Sequence, residues 1–150
     1  MIERFETFTV LINRINRNIR KIKNYEMADY NLRNAHISCL YYIYQNDGIT
    51  ATELCEKCEE DKATISRTLD YLKKNDFIKE EHETNKKYKT PLILTEKGYE
   101  TGKRLSDKIN KILSDAGGNL SNNERLMFYR ILTSISNNLD NIAEQLISEK

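Results

Sequence analysis

The stretch Thr50-Ala51-Thr52-Glu53-Leu54-Cys55-Glu56-Lys57-Cys58, followed after Glu59-Glu60 by Asp61-Lys62-Ala63-Thr64-Ile65-Ser66-Arg67-Thr68-Leu69-Asp70-Tyr71-Leu72-Lys73-Lys74, decides the fold. Thr50 and Glu53 have capping-box spacing: the hydroxyl accepts from the Glu53 amide, and the carboxylate reaches back to the Thr50 amide. A short helix then runs to about Cys58, turning Leu54 and Cys58 inward. Two glutamates leave room only for a turn, and Asp61 is a capping residue for the next helix. That helix runs to Lys74 with Ile65, Leu69 and Leu72 on its inner face. Two short helices joined by a tight turn form a helix-turn-helix.

Upstream, a helix is expected from about Leu32 to Gln45, with Ile37, Leu40, Ile43 and Tyr44 toward a core. Asn46-Asp47-Gly48 ends it with turn chemistry, and Ile49 has the place of a one-residue strand. Downstream, Phe77–Glu81 and Leu92–Leu94 are short strand-like runs around the polar, basic hairpin Glu83–Thr90. Pro91 falls at a strand start, where a missing donor is tolerated. A hairpin directly after a helix-turn-helix is a wing.

Further out, Phe5, Phe8, Ile12, Ile15, Ile19 and Ile22 step by three and four, giving one apolar seam on a first helix opposite Arg14, Arg17, Arg20 and Lys21. Asn24 to Asn31 interrupts the pattern. Thr95 caps a fifth helix stepping through Gly98, Gly102, Leu105, Ile109, Ile112 and Ala116, and Gly117-Gly118 stops it. Ser121-Asn122-Asn123-Glu124 repeats the capping box before a last helix seamed by Phe128, Leu132, Ile135, Leu139, Ile142 and Leu146. The expected fold is mainly α with a small β-wing. A winged helix-turn-helix spans residues 32–97, and residues 1–31 and 98–150 supply helical dimerisation segments. The central part closes its own core, so the outer seams need another partner. Each large aliphatic side chain left in water forfeits roughly 1.5–3 kcal/mol. An isologous two-fold dimer buries the seams; an intrachain bundle of the same helices is the alternative.

Composition agrees with a helical chain: 150 residues, one proline, five glycines, 39% hydrophobic and 31% charged. The net charge of +1 leaves any DNA-binding face to local clustering. No apolar run approaches the roughly 20 residues that span a bilayer. Met1-Ile2-Glu3-Arg4 has no signal-peptide core, and three cysteines make no secreted disulfide framework. A cytoplasmic location is expected.

The second helix of a helix-turn-helix enters the major groove with its N-terminal residues at the base edges. Lys62, Ala63, Thr64, Ser66 and Arg67 occupy that face. Arg67 has the fork for a guanine edge or a phosphate, and Lys62 suits a phosphate. Thr50 and Thr52, at a helix N-terminus, are candidates for the DNA backbone. In the wing, Lys86, Lys87, Tyr88 and Lys89 suit a minor groove or its flanking phosphates. The competing reading pairs Arg67 with Asp70 along the helix and leaves the lysines solvated.

From Leu32 to Gly98 the chain resembles the MarR family of regulators. The resemblance rests on Gly48-Ile49-Thr50-Ala51-Thr52-Glu53-Leu54, on Asp61 through Leu72, and on Leu94-Thr95-Glu96-Lys97-Gly98 after a strand-wing-strand. The flanking helices match the family's dimerisation helices in position. The resemblance implies a triangular homodimer on a pseudo-palindromic operator, usually repressive, and relieved by a small ligand or by thiol oxidation. It also implies a ligand crevice between the dimer helices and the winged domain, within reach of Arg14, Arg17, Tyr30, His36 and Tyr41. Two departures stand out. Lys86-Lys87-Tyr88-Lys89 replaces the family's Asp-x-Arg at the wing tip, and a lysine lacks the planar fork. Asn75-Asp76 replaces the glycine after the recognition helix.

Enzyme chemistry has no foothold in the sequence: no phosphate loop, no G-x-S-x-G and no H-E-x-x-H occurs. His36 and His82 lack ligand partners at suitable spacing, so neither a metal nor another cofactor is expected. Cys55-x-x-Cys58 lies late in a short helix, and Cys39 within another, positions of buried filler. The expectation is thus a sequence-specific regulator of transcription, not an enzyme. The alternatives are a winged-helix dimer acting as a protein-interaction or antirepressor module, and a thiol-based redox sensor.

Overall fold

The computed structural model describes residues 4–79 and 89–149, with side chains from residue 7 onward. Six helices and two strands follow one another: α1 (Arg4–Glu26), a single 3-10 turn (Ala28–Tyr30), α2 (Ala35–Gln45), α3 (Ala51–Cys58), α4 (Lys62–Lys74), β1 (Ile78–Lys79), β2 (Ile93–Leu94), α5 (Glu96–Gly117) and α6 (Asn122–Ser148). The chain divides into two compact units, Met1–Asn110 and Lys111–Lys150. No helix among the described residues is long and apolar enough to cross a membrane.

The capping chemistry forms as the residues dictate. The Glu53 amide donates to the Thr50 hydroxyl, and the Glu53 carboxylate accepts from the Thr50 amide at 2.8 Å. Asp61 accepts from the Thr64 amide at 2.7 Å, and Ser121 and Glu124 close the second box. Glu59, at φ 52°, makes the left-handed step between α3 and α4. After α4, Asp76 takes φ 61°, so an aspartate, a residue type that tolerates left-handed geometry, makes the turn.

The core of the first unit is built from Ile37, Leu40 and Ile43 of α2, Leu54 of α3, Ile65, Leu69 and Leu72 of α4, and Leu105 of α5. Met27, Leu32, Ile49, Phe77 and Ile78 close it from the connecting segments and β1. Among the described residues fifteen apolar side chains are buried there, and with Met27 and Leu105 from outside residues 32–97 they pack α3 and α4 against α2.

Three expectations need correction. The second helix begins at Ala35, not Leu32. Asn34 sits at φ 50°, ψ −117°, outside helical space, and the Asn24 side chain accepts its amide at 2.9 Å. Leu32 is instead a buried plug after the 3-10 turn. Ile49 forms no strand; a single hydrogen bond from the Leu92 amide, 2.9 Å, ties its carbonyl to the wing. The strands start one residue later than the runs predict, at Ile78 and Ile93, and pair antiparallel as Ile78 with Leu94 and Lys79 with Ile93. Phe77 is left out of β1 because its amide is taken by the Leu72 carbonyl.

Gly98 marks a close approach of α5 to the chain before β1. A side chain there would run into the Phe77 carbonyl, so only glycine lets α5 lie this close to the start of β1. Along α1, Phe8, Leu11, Ile15 and Ile22 remain exposed. Within the second unit, α6 exposes Phe128, Leu139, Ile142 and Leu146, the last at 60%.

Candidate nucleic-acid interface

Helix α4 buries Ile65, Thr68, Leu69 and Leu72 and turns its other face outward. Lys62, Ala63 and Arg67 are exposed, while Thr64 and Ser66 are half-buried at the edges of that face. The helix start is held by Asp61, whose carboxyl lies below the usual carboxylate range because it accepts the Thr64 backbone N–H. The Arg67 guanidinium donates to the Thr64 hydroxyl at 3.2 Å, and among the described residues it makes no ion pair with Asp70. The outer face of α4 therefore offers one guanidinium, one ammonium, two hydroxyls and a methyl group, mounted on a helix fixed by core packing.

The N-terminal turn of α3 supplies Thr50 and Thr52. The Thr50 hydroxyl is engaged in the capping box, donating to Glu53 at 3.0 Å, whereas Thr52 is exposed. In the wing, Lys89 is exposed; Lys86, Lys87 and Tyr88 lie outside the described residues, as does His82.

The five residues expected at a ligand crevice are not gathered into one site. Arg14 and Arg17 are exposed on α1, and Tyr41 packs edge-on against Tyr42. His36 stacks on Tyr71 of α4, ring centroids 3.9 Å apart at 5°. Its Nδ1 is buried without a hydrogen-bond partner, and burial lowers the imidazole's pKa, with Arg33 adding to the effect. Tyr30 alone lines a cleft, of about 530 Å³, together with Glu96, Lys97, Glu100, Thr101 and Arg104 of α5. Arg104 donates to the Tyr30 hydroxyl at 3.2 Å there. Sequence reasoning missed Arg104, which is 74 residues from Tyr30. It also missed Tyr71, whose hydroxyl donates to the Asn31 carbonyl at 2.7 Å and so ties α4 to the loop before α2. Neither has a local signal, because both act through partners distant in the chain.

The model of the MarR family matches residues 30–87, which cover α2 through α4 and run into the wing. The uncharacterized HTH-type transcriptional regulator YybA of Bacillus subtilis is 36% identical over 88 residues, 58% of each chain. A putative MarR family transcriptional regulator from Listeria monocytogenes, solved in complex with a 26mer DNA, is similar over 87% of both chains, with TM-score 0.78 and 26% identity. Residues 30–87 thus match the MarR family, and the likeness over the rest of the chain is to MarR-family folds.

MarR-family folds extend the likeness beyond the winged domain. The Staphylococcus aureus MarR solved with salicylate and kanamycin matches 91% of both chains at TM-score 0.78 and 24% identity. A MarR family regulator from Neisseria meningitidis matches 96% of this chain and 99% of its own at TM-score 0.80 and 16% identity. At those identities the likeness is one of fold. The chain spans about 58% of the length of YybA.

Proposed function

We propose that this chain is a MarR-family transcriptional regulator that binds a pseudo-palindromic operator as a homodimer, with one α4 in each of two successive major grooves. The observation that carries the reading is the outer face of α4: Lys62, Ala63 and Arg67 exposed, Thr64 and Ser66 at its edges, and the inner face locked by Ile65, Leu69 and Leu72. Small side chains let a helix approach the groove floor, Arg67 has the geometry for a guanine edge, and Lys62 takes a phosphate. Thr52 and the α3 N-terminus add backbone contacts, as helix N-termini do for phosphates. Lys89, with the Lys86-Lys87-Tyr88 sequence before it, reaches flanking phosphates, and a wing of lysines contributes affinity more than sequence choice. The Listeria relative's complex with DNA supports the mode of binding.

Two-fold pairing is supported by the exposed apolar stripes of α1 and α6, whose burial between two chains removes large aliphatic surface from water. It spaces the two α4 helices about one DNA turn, roughly 34 Å, apart. The regulator acts in the cytoplasm as a repressor, and a small aromatic acid is the effector class favoured by the salicylate-bound relative. Titration of the protein with its own upstream DNA in a mobility-shift assay, with and without salicylate, tests the reading. Saturable binding that weakens with added salicylate is expected. Equal affinity for upstream and unrelated DNA overturns it, and favours the interaction-module alternative.

A further inference from the structure

The three thiols sit in different surroundings, and their spacing in the chain hides which two meet. Cys55 and Cys58 are three residues apart, yet Cys39 of α2 and Cys58 at the end of α3 bring their sulfurs to 3.9 Å. Cys39 is fully buried and Cys58 only partly, so Cys58 opens the pair to solvent. Lys23, near the end of α1, is half-buried beside them and makes no ion pair with a carboxylate among the described residues. An ammonium removed from water needs an anion nearby, and the group that favours its charge is Cys58.

We propose that Cys39 and Cys58 form a two-thiolate binding site for a monovalent soft metal ion, the class to which cuprous copper belongs. Thiolates select soft d10 ions. Two metal–thiolate bonds of about 2.3 Å each span at most about 4.6 Å, so sulfurs 3.9 Å apart already lie within bridging range. A disulfide, in contrast, requires closure to about 2.05 Å and an oxidant. Zinc asks for four ligands, and among the described residues no third His, Cys, Asp or Glu joins the pair. The charge also suits a monovalent ion: two thiolates and one positive ion leave a single negative charge, in the field of both Lys23 and Glu60. Binding releases the Cys39 proton, and that of Cys58 where it is present, to solvent. The ion reaches Cys58 first and then takes Cys39 as its second ligand, bridging α2 to α3.

The test uses the full chain under anaerobic conditions, titrated with Ag(I) and with Cu(I) held by a competing chelator. One ion per chain is expected. Cys58→Ser and Cys39→Ser should each weaken binding on the order of 100-fold or more, while Cys55→Ser leaves it unchanged. Because Cys39 lies in the core, its variant is read beside circular dichroism, and a second arm uses the unaltered chain. There, one equivalent of Ag(I) should protect Cys58 from iodoacetamide, as read by mass spectrometry, while Cys55 is still labelled. Binding that survives Cys58→Ser, binding that is lost with Cys55→Ser, displacement by equimolar Zn(II), or absence of uptake each overturns the proposal. None of these readouts involves DNA, so they stand apart from the operator assay.

Discussion

The Arg67 guanidinium is held back against its own helix by the Thr64 hydroxyl, 3.2 Å away across one turn of α4. The bond orders a long side chain that is otherwise free in water, and it keeps the fork over the face proposed to meet the bases. Its donors are only partly used, since a guanidinium carries five. Arg67→Ala should cost about 1–3 kcal/mol of specific operator binding, read by titration at fixed salt. Arg67→Lys should recover little of it, because an ammonium cannot make the two parallel bonds. Affinity of the unaltered chain should fall steeply and linearly on a log–log salt plot, and Lys62→Ala should flatten that slope by about one unit. A slope near zero would end the groove-binding reading.

Gly98 gives a prediction about the frame on which α4 is carried. A methyl group there meets the Phe77 carbonyl, which is held in place by the Thr95 amide at 3.1 Å and cannot easily give way. Gly98→Ala should therefore destabilise the first unit by about 1–3 kcal/mol, the usual range for overpacking, measured as a shift in denaturant midpoint. Unchanged stability would show that β1 yields.

His36 predicts a pH dependence. Its pKa is lowered in the folded chain by burial and by Arg33, so the unfolded chain binds the proton first as pH falls below about 6.5. Stability is then full above that pH and declines as pH drops through the window down to the folded-state pKa. His36→Phe, which keeps a ring against Tyr71, should remove this part of the acid sensitivity in denaturation curves taken between pH 7 and pH 5. An identical decline in the variant would assign the effect elsewhere.

The exposed stripe of α6 makes the dimer testable apart from DNA. Ile142→Glu places a charge among Leu139 and Leu146 on a face exposed in the single chain. Light scattering should find twice the chain mass for the unaltered protein and a shift toward the single-chain mass for the variant, with no loss of helix signal. A variant that remains fully paired would move the interface away from this stripe.

Much of this was legible in the sequence where the determinants are local. Thr50 with Glu53, Asp61 with Thr64, and Ser121 with Glu124 lie three residues apart, and each cap forms between those residues. The inward set Ile65, Leu69 and Leu72 follows from helical period, which in turn fixes the outward position of Arg67. Asn34 was not legible, because its non-helical backbone depends on the Asn24 side chain ten residues earlier. Nor was the Cys39–Cys58 meeting, which arises from the packing of α3 on α2, whereas the spacing drew attention to Cys55. Both wing strands start a residue late because hydrophobic runs mark propensity, while the partners that take the Phe77 and Leu92 amides, the Leu72 and Ile49 carbonyls, lie elsewhere in the chain.

Thr95 serves two masters with one oxygen. Its hydroxyl donates to the Asp76 carbonyl at 2.6 Å, just beyond the recognition helix, and accepts from the Gly98 amide at 2.9 Å inside the first turn of α5. The tail of α4 and the head of α5 are thus geared together at a buried pivot. A tilt of either helix at that end therefore has to carry the other with it or break one of these two bonds.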